Sequence, residues 1–224
     1  MLGVNAVFAA HYLPLEERRA PMEDQFSHYN IAPRWITSEP SEEEVRDFYD
    51  SREVSWKTKV SRTPYPGTVP FKTLNEAEIS LAYKHLKIYE QIVEEDIPVS
   101  LVLEDDALFE DDFAHKFNFN LAHTPRDWDF IFIGSGCDLR ISPDTRREGQ
   151  VAYLKEHPAS KCTDSYVITK KASEKILETL TPLSFPIDFE LNYQMCLHDM
   201  RVYWWDPPII RQGSQCGMFR STVQ

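Results

Sequence analysis

Residues 97–109 read Ile97-Pro98-Val99-Ser100-Leu101-Val102-Leu103-Glu104-Asp105-Asp106-Ala107-Leu108-Phe109, and this stretch decides the fold. Its apolar run, opened by a proline and rich in Val and Leu, suits a central parallel strand covered by helices on both faces. The carboxyl ends of such strands face the crevice where open α/β sheets bind ligands, so Glu104, Asp105 and Asp106 are expected in a cleft. Three adjacent anions repel one another, and burying them calls for a cation or hydrogen-bond donors. A hard divalent cation gripping a diphosphate meets that need. An isolated acidic triplet more often forms a solvated turn or a cap. The second triplet, Glu110-Asp111-Asp112, reads that way, as an acidic helix start ahead of Phe113, Ala114 and Phe117.

Composition sets the frame for this cleft. The chain has 224 residues, of which 42% are apolar and 12% aromatic, which fits one α/β domain over residues 1–224 with a sizeable core. A net charge of -12, from 36 acidic and 24 basic residues, opposes nonspecific binding to nucleic acid or anionic membranes. A nucleotide ligand therefore needs local neutralisation by a metal or by placed Arg and Lys. Cys137, Cys162, Cys196 and Cys216 form no C-x-x-C pair, so they read as reduced thiols of a cytoplasmic protein. The start of the chain lacks a basic segment followed by a long apolar stretch, and no 18 apolar residues run together. The expectation is no secretion signal and no membrane span.

Working outward, residues 3–10 predict a first strand ending at His11 and Tyr12, and residues 16–26 a helix carrying Arg18, Arg19 and Met22. In a nucleotide-binding fold this first loop often faces the base, where Tyr12 could stack and Arg18 or Arg19 bond a phosphate. A second short strand is expected over 31–37, and a helix over 41–49 with Ser41 and Glu44 as a capping box. Residues 51–72, with Pro64, Pro66, Gly67 and Pro70, read as a long loop suited to a lid. The spacing Thr73-Leu74-Asn75-Glu76 predicts another capping box. It opens a helix whose apolar face holds Ile79, Ala82, Leu86, Tyr89 and Val93, with His85 beside that stripe as a core residue.

Beyond the triplet, a helix is expected over 113–121, and a buried strand over 130–133 that ends in Gly134-Ser135-Gly136, where small residues permit close backbone approach by a ligand. Residues 138–150 are polar and irregular. A strand over 166–169, a helix over 172–180 and a connector through Pro182 and Pro186 lead into Ile187-Asp188-Phe189-Glu190. The aromatic tail passes through Trp204, Trp205, Pro207 and Pro208 to Gln212. Either tryptophan could stack on a sugar, with core packing expected for at least one.

Taken together, these segments resemble glycosyltransferase family 25, the lipooligosaccharide and procollagen galactosyltransferase group, over nearly the whole chain. Glu78 to Leu86 is similar to the family's Gly-Glu-Ile-Gly-Cys segment running into Ser-His, with Glu78 and His85 kept and Ser80 and Lys84 departing. Leu103-Glu104-Asp105-Asp106 resembles the metal motif, Trp128-Asp129 and the strand to Gly134 the next strand, and Pro186-Ile187-Asp188 the Pro-x-Asp. Thr163 to Thr169 resembles the Tyr-bearing strand, with Asp164 in place of a common His. Pro207, Pro208 and Gln212 resemble the closing Pro-Pro and Gln. His11 and Tyr12 stand where the family has Asn-Leu, while Arg18 and Arg19 fit.

The resemblance implies a GT-A fold, one Rossmann-like domain with a mixed, mostly parallel sheet. It implies transfer of a hexose, galactose first and glucose second, from a UDP-sugar to a glycan or glycoprotein acceptor with inversion. Manganese or magnesium is the implied cofactor, with Asp106 as direct ligand and Glu104 beside it. His11, Tyr12, Arg18, Glu78, His85, Glu104, Asp105, Gly134 and Gln212 are implied to surround the nucleotide sugar. Asp188 is the implied general base, with Glu190 second. Two rivals differ in class. A phosphohydrolase wants Asp-x-Asp followed by Thr or Val, which Glu104 and Ala107 do not supply. A catalytically inactive carbohydrate-binding or scaffold protein of the same fold is the other.

Overall fold

The structure, a computed structural model, describes residues 1–62 and 71–220. In chain order these build β1 (Ala6–Ala10), α1 (Glu16–His28), β2 (Arg34–Ile36), α2 (Glu42–Phe48), α3 (Glu53–Val60), α4 (Glu76–Glu94), β3 (Val99–Glu104) and β4 (Ala107–Phe109). There follow α5 (Phe113–His123), β5 (Phe130–Phe132), β6 (Ala152–Lys155), β7 (Ser165–Thr169), α6 (Lys170–Thr179), α7 (Ile187–Leu197), β8 (Val202–Trp205) and β9 (Ile210–Gln212). Seven strands form one sheet in the order β2-β1-β3-β7-β5-β8-β6, and β4 pairs with β9 in a small second sheet. This is a mixed α/β architecture.

Alternation along β3 explains why its sequence is almost continuously apolar. Leu101 and Leu103 face one core with Met22 and Phe26 of α1 and Phe113 and Phe117 of α5. Val102 faces the other, with Ala82, Leu86 and Tyr89 of α4, Ile176 of α6 and Leu191 of α7. Both faces are buried, as a period-two strand between two helical layers requires. The parallel expectation holds on one side only. β3 pairs parallel with β1, placing Ala10 opposite Glu104, and antiparallel with β7, placing Leu103 opposite Ser165. The amino end of β7 is thereby delivered to the carboxyl end of β3.

Several local expectations are corrected by the structure. The cap of α4 is Asn75, whose side chain accepts from the Glu78 N–H at 2.9 Å while Glu78 Oε2 accepts from the Asn75 N–H at 3.0 Å. The box thus lies two residues beyond the Thr73 and Glu76 spacing. Along α4 the buried stripe ends on Ile88 and Ile92 rather than Val93. The acidic triplet 110–112 caps nothing: Asp112 precedes α5 in the left-handed region, with φ 59, and makes no side-chain cap bond. The loop expected over 51–72 holds α3, where Trp56 and Val60 pack partly against Phe185 and Tyr193. The rest of that expected lid, residues 63–70, lies outside the described residues. Both tryptophans of the tail are core residues, Trp204 Nε1 donating to the Ala159 carbonyl at 2.6 Å and Trp205 Nε1 to Thr124 Oγ1 at 2.8 Å. Among the described residues no helix is long and apolar enough to cross a membrane.

Candidate functional site

Because β1 and β3 run parallel and β7 runs against them, three segments meet at one end of these interior strands: residues 11–18, 104–106 and 161–165. Asp105 is the anchor of this end. Its carboxylate accepts from His11 Nδ1 at 2.9 Å, the Tyr12 N–H at 3.0 Å and Arg18 Nη1 at 2.6 Å, so both oxygens are engaged. Burial pushes its carboxyl up, but the His11 bond and the Arg18 guanidinium outweigh that and hold it below the usual range. Arg18 also donates to the Arg220 carbonyl at 2.5 Å, drawing the last described turn over the site.

Asp106 is placed differently. Its Oδ2 accepts from the Ser214 N–H at 3.1 Å, and its main-chain carbonyl accepts from the Gly213 N–H at 2.7 Å. Its Oδ1 is buried and has no hydrogen-bond partner. Burial first, and the charge of Glu104 second, push this carboxyl up to about 6. Glu104 accepts from Thr163 Oγ1 at 2.5 Å, and His85 Nε2 stands 3.7 Å from the same oxygen. His85 Nδ1 bonds Tyr166 Oη at 2.7 Å, and Tyr166 bonds Tyr89 Oη at 2.8 Å, all within the core.

Beneath Glu104 lies Asp164, fully buried, whose main-chain carbonyl accepts from the Glu104 N–H at 2.9 Å. Burial and then the Glu104 charge raise its carboxyl well above the usual range, which favours the protonated acid. Lys161 Nζ donates to the Gly134 carbonyl at 2.6 Å, and burial lowers this amine to about 8. A Cβ added at Gly134 would lie 1.7 Å from Asp164 Oδ2 and 2.3 Å from Ser165 Oγ, so the backbone approach expected of Gly134 is made to this buried acid. Gly134→Ala must shift Asp164 or the strand. We expect a loss of about 1–3 kcal/mol of stability, the range for overpacking a filled interior, read as a lowered melting temperature.

Tyr12, Arg18 and Lys84 line one cleft together with the acidic triplet, Gln212 and Ser214. Lys84 is buried with its amine on Ser80 Oγ at 2.7 Å and on Glu39, and burial lowers its pKa. Gln212 Oε1 is buried without a partner. The cleft therefore holds two cations, Arg18 and Lys84, each already paired within the protein, and in Asp106 Oδ1 a buried carboxylate oxygen that has no hydrogen-bond partner. Among the described residues no three Asp, Glu, His or Cys side chains converge as a closed metal cage. One carboxylate with a free oxygen beside a second one still fits a hard cation that keeps waters and takes its other ligands from a phosphate.

Over residues 15–191 the sequence matches Glycosyltransferase family 25 (LPS biosynthesis protein). This chain belongs to glycosyltransferase family 25. Similar relatives are procollagen galactosyltransferase 1 of Danio rerio, 26% identical over 90% of this chain, and procollagen galactosyltransferase 2 of Homo sapiens, 27% identical over 52%. The chain spans 33% and 18% of the lengths of these relatives. A crystal structure of a glycosyltransferase involved in the glycosylation of the major capsid of PBCV-1 superimposes with a TM-score of 0.51 at 12% identity. The match covers 96% of this chain and 94% of that one, and carries the fold alone.

Within this family 25 chain the expected site residues separate into four groups. Tyr12, Arg18, Glu104, Asp105, Asp106 and Gln212 line the cleft. His11, His85 and Gly134 stand behind it and act on Asp105, Glu104 and Asp164 respectively. Glu78 and Glu190 are already engaged: Glu78 by Lys72 at 2.5 Å and the α4 cap, Glu190 by Lys59 at 2.6 Å and Gln194 at 3.1 Å. Asp188 opens α7, accepts from the Phe189 N–H at 2.9 Å, and is pushed up to about 6 by burial and then by Glu104. Lys161, Thr163 and Ser214 were not singled out by the sequence, and Lys84 and Asp164 were noted there only as departures from the family pattern.

The fully buried Glu190 carboxylate can be tested apart from any chemistry. Lys59→Met strips its cation and leaves a charge inside α7. The expected cost is about 3–5 kcal/mol, measured by denaturant unfolding, and Glu190→Gln in the same chain should recover part of it.

Proposed function

We propose that this chain transfers a hexose, galactose first and glucose as the alternative, from a UDP-sugar to a glycan or glycoprotein acceptor, with inversion and with manganese or magnesium bound. The observation that carries the reading is the buried, unpartnered Asp106 Oδ1, set in a cleft whose wall also presents Arg18 and Lys84. An oxygen left bare at that depth is costly unless a ligand completes it. The galactosyltransferase relatives support the choice of sugar.

In this reading Tyr12 stacks on the uracil and Arg18 and Lys84 face the diphosphate. Asp106, with Glu104 beside it, holds the divalent cation, which when bound offsets the charge growing on the leaving diphosphate. Asp105 fixes the loop that carries Tyr12 by accepting from His11, Tyr12 and Arg18, and retains acceptor capacity for a donor hydroxyl. Gln212 Oε1 receives a donor hydroxyl. The acceptor oxygen attacks the anomeric carbon, the bond from that carbon to the phosphate oxygen breaks with its electrons, and the acceptor proton passes to Asp188. Burial and the Glu104 charge raise the Asp164 carboxyl, which disfavours a further negative charge beneath Glu104.

The test is calorimetric titration of UDP with and without manganese, followed by hydrolysis of UDP-galactose and UDP-glucose. Metal-dependent UDP binding with turnover of one sugar supports the reading. Binding without hydrolysis under any metal would favour an inactive carbohydrate-binding protein, and UDP binding indifferent to metal would overturn the role of Asp106.

A further inference from the structure

Two of the four thiols stand outside the chemistry just described and are in each other's reach. Cys137 lies on the tight turn Gly136–Asp138 that follows β5, and Cys162 lies in the segment leading into β7. Their sulfurs are 2.7 Å apart, and Gln215 Nε2 stands 3.5 and 3.8 Å from the two of them. The backbones are equally close: a Cβ added at Gly136 would lie 2.5 Å from Cys162 Cβ. Of the other two thiols, Cys216 donates to the Gly213 carbonyl at 3.5 Å and Cys196 sits on α7.

The segments that meet here are walls of the acidic site. On one side, the Gly134 carbonyl receives Lys161; on the other, Thr163 holds Glu104 and Asp164 lies beneath it. We propose that Cys137 and Cys162 form a disulfide bond that fastens the turn after β5 to the segment before β7, with a small-molecule disulfide such as oxidised glutathione as oxidant.

Cys137 is exposed and Cys162 half-buried, so the oxidant reaches Cys137 first. Burial, and then the neighbouring Cys137, push the Cys162 thiol up, which also leaves Cys137 as the first nucleophile. The Cys137 thiolate attacks one glutathione sulfur and expels one glutathione thiolate. Cys162 then gives up its proton and attacks the Cys137 sulfur of the mixed disulfide, expelling the second. Two protein thiols and one oxidised glutathione become one protein disulfide and two reduced glutathiones. The bond closes a loop between positions 25 apart in sequence, and a constraint of that length removes freedom from the unfolded chain. This inference does not draw on the donor reading, and its test contains no sugar nucleotide.

The full chain is incubated with oxidised glutathione, its free thiols are blocked with N-ethylmaleimide, and it is digested without reduction for mass spectrometry. Expected are two blocked thiols, Cys196 and Cys216, and one linked peptide pair joining Cys137 to Cys162. The oxidised protein should melt on the order of 5–10 °C above the protein kept in dithiothreitol. Cys137→Ser and Cys162→Ala should each abolish both the linked pair and the shift; Cys216→Ser should change neither. Four blocked thiols, a lasting glutathione adduct on Cys137, or a Cys137–Cys216 pair would each overturn the proposal.

Discussion

Asp106→Ala is expected to abolish manganese-dependent binding of UDP while leaving the chain folded. Groups that merely orient a metal ligand typically cost 10–100-fold in affinity when lost, so removal of the ligand itself should exceed about 100-fold. Stability should hardly move. The substitution deprives the Ser214 N–H of its acceptor, costing about 1 kcal/mol, yet it also removes a carboxyl that burial and Glu104 disfavour in its charged form. The sign follows from linkage. An acid raised from its ordinary value near 4 to about 6 binds more protons folded than unfolded between those values. Its contribution to stability therefore falls as pH rises through that window and stays lower above it. The variant should show a flatter stability profile from pH 4 to 6 than the parent in metal-free buffer. In the parent, protons would compete with a cation at this carboxylate, so metal-dependent UDP binding should weaken as pH falls below about 6. Calorimetry at several pH values, with melting curves of both proteins, checks all four expectations. Unchanged metal-dependent UDP binding by Asp106→Ala would remove Asp106 from the site.

The legible part of this molecule was what repeats or caps locally. The Val99–Glu104 strand showed in its apolar run because both faces of β3 are buried, and α2 showed its Ser41 and Glu44 box because that signal lies within one turn. What the sequence hid is decided at long range. Nothing in Ser165–Thr169 encodes that β7 runs against β3, yet that direction alone brings Thr163 and Asp164 to Glu104. Three-residue strands such as β4 and β9 are too short to show a period; their pairing, Leu108 opposite Arg211, spans half the chain and is what sets Gln212 and Ser214 beside Asp106. Glu78 illustrates a different ambiguity. A buried glutamate at the third position of a helix serves its cap equally well whether or not a ligand lies near, and here the cap and Lys72 hold both oxygens.

The neighbours Asp188 and Glu190 show how helix geometry chooses between two carboxylates that sequence leaves side by side. Positions two apart on a helix are turned away from each other by more than half a circle. Once Glu190 points inward to Lys59 and Gln194, Asp188 faces elsewhere, and there its carboxyl feels Glu104. As general base, Asp188 replaced by asparagine keeps its shape and its bond from the Phe189 N–H but accepts no proton. The loss of a positioned base typically lowers turnover 10²- to 10⁴-fold, so kcat for transfer should fall on that order. The KM for the UDP-sugar should change little, since in the proposed reading the diphosphate is held by Asp106, Arg18 and Lys84 and not by Asp188. With metal and donor kept saturating, so that proton competition at Asp106 does not enter, the parent should also lose kcat about tenfold per pH unit below about 6, as protonation removes the base, and Asp188→Asn should show no such limb. Burial is the largest cause of that elevated value. A variant that kept the acid limb along with near-normal turnover would place the proton acceptor on another group. The inverting step drawn through Asp188 would then have to be abandoned.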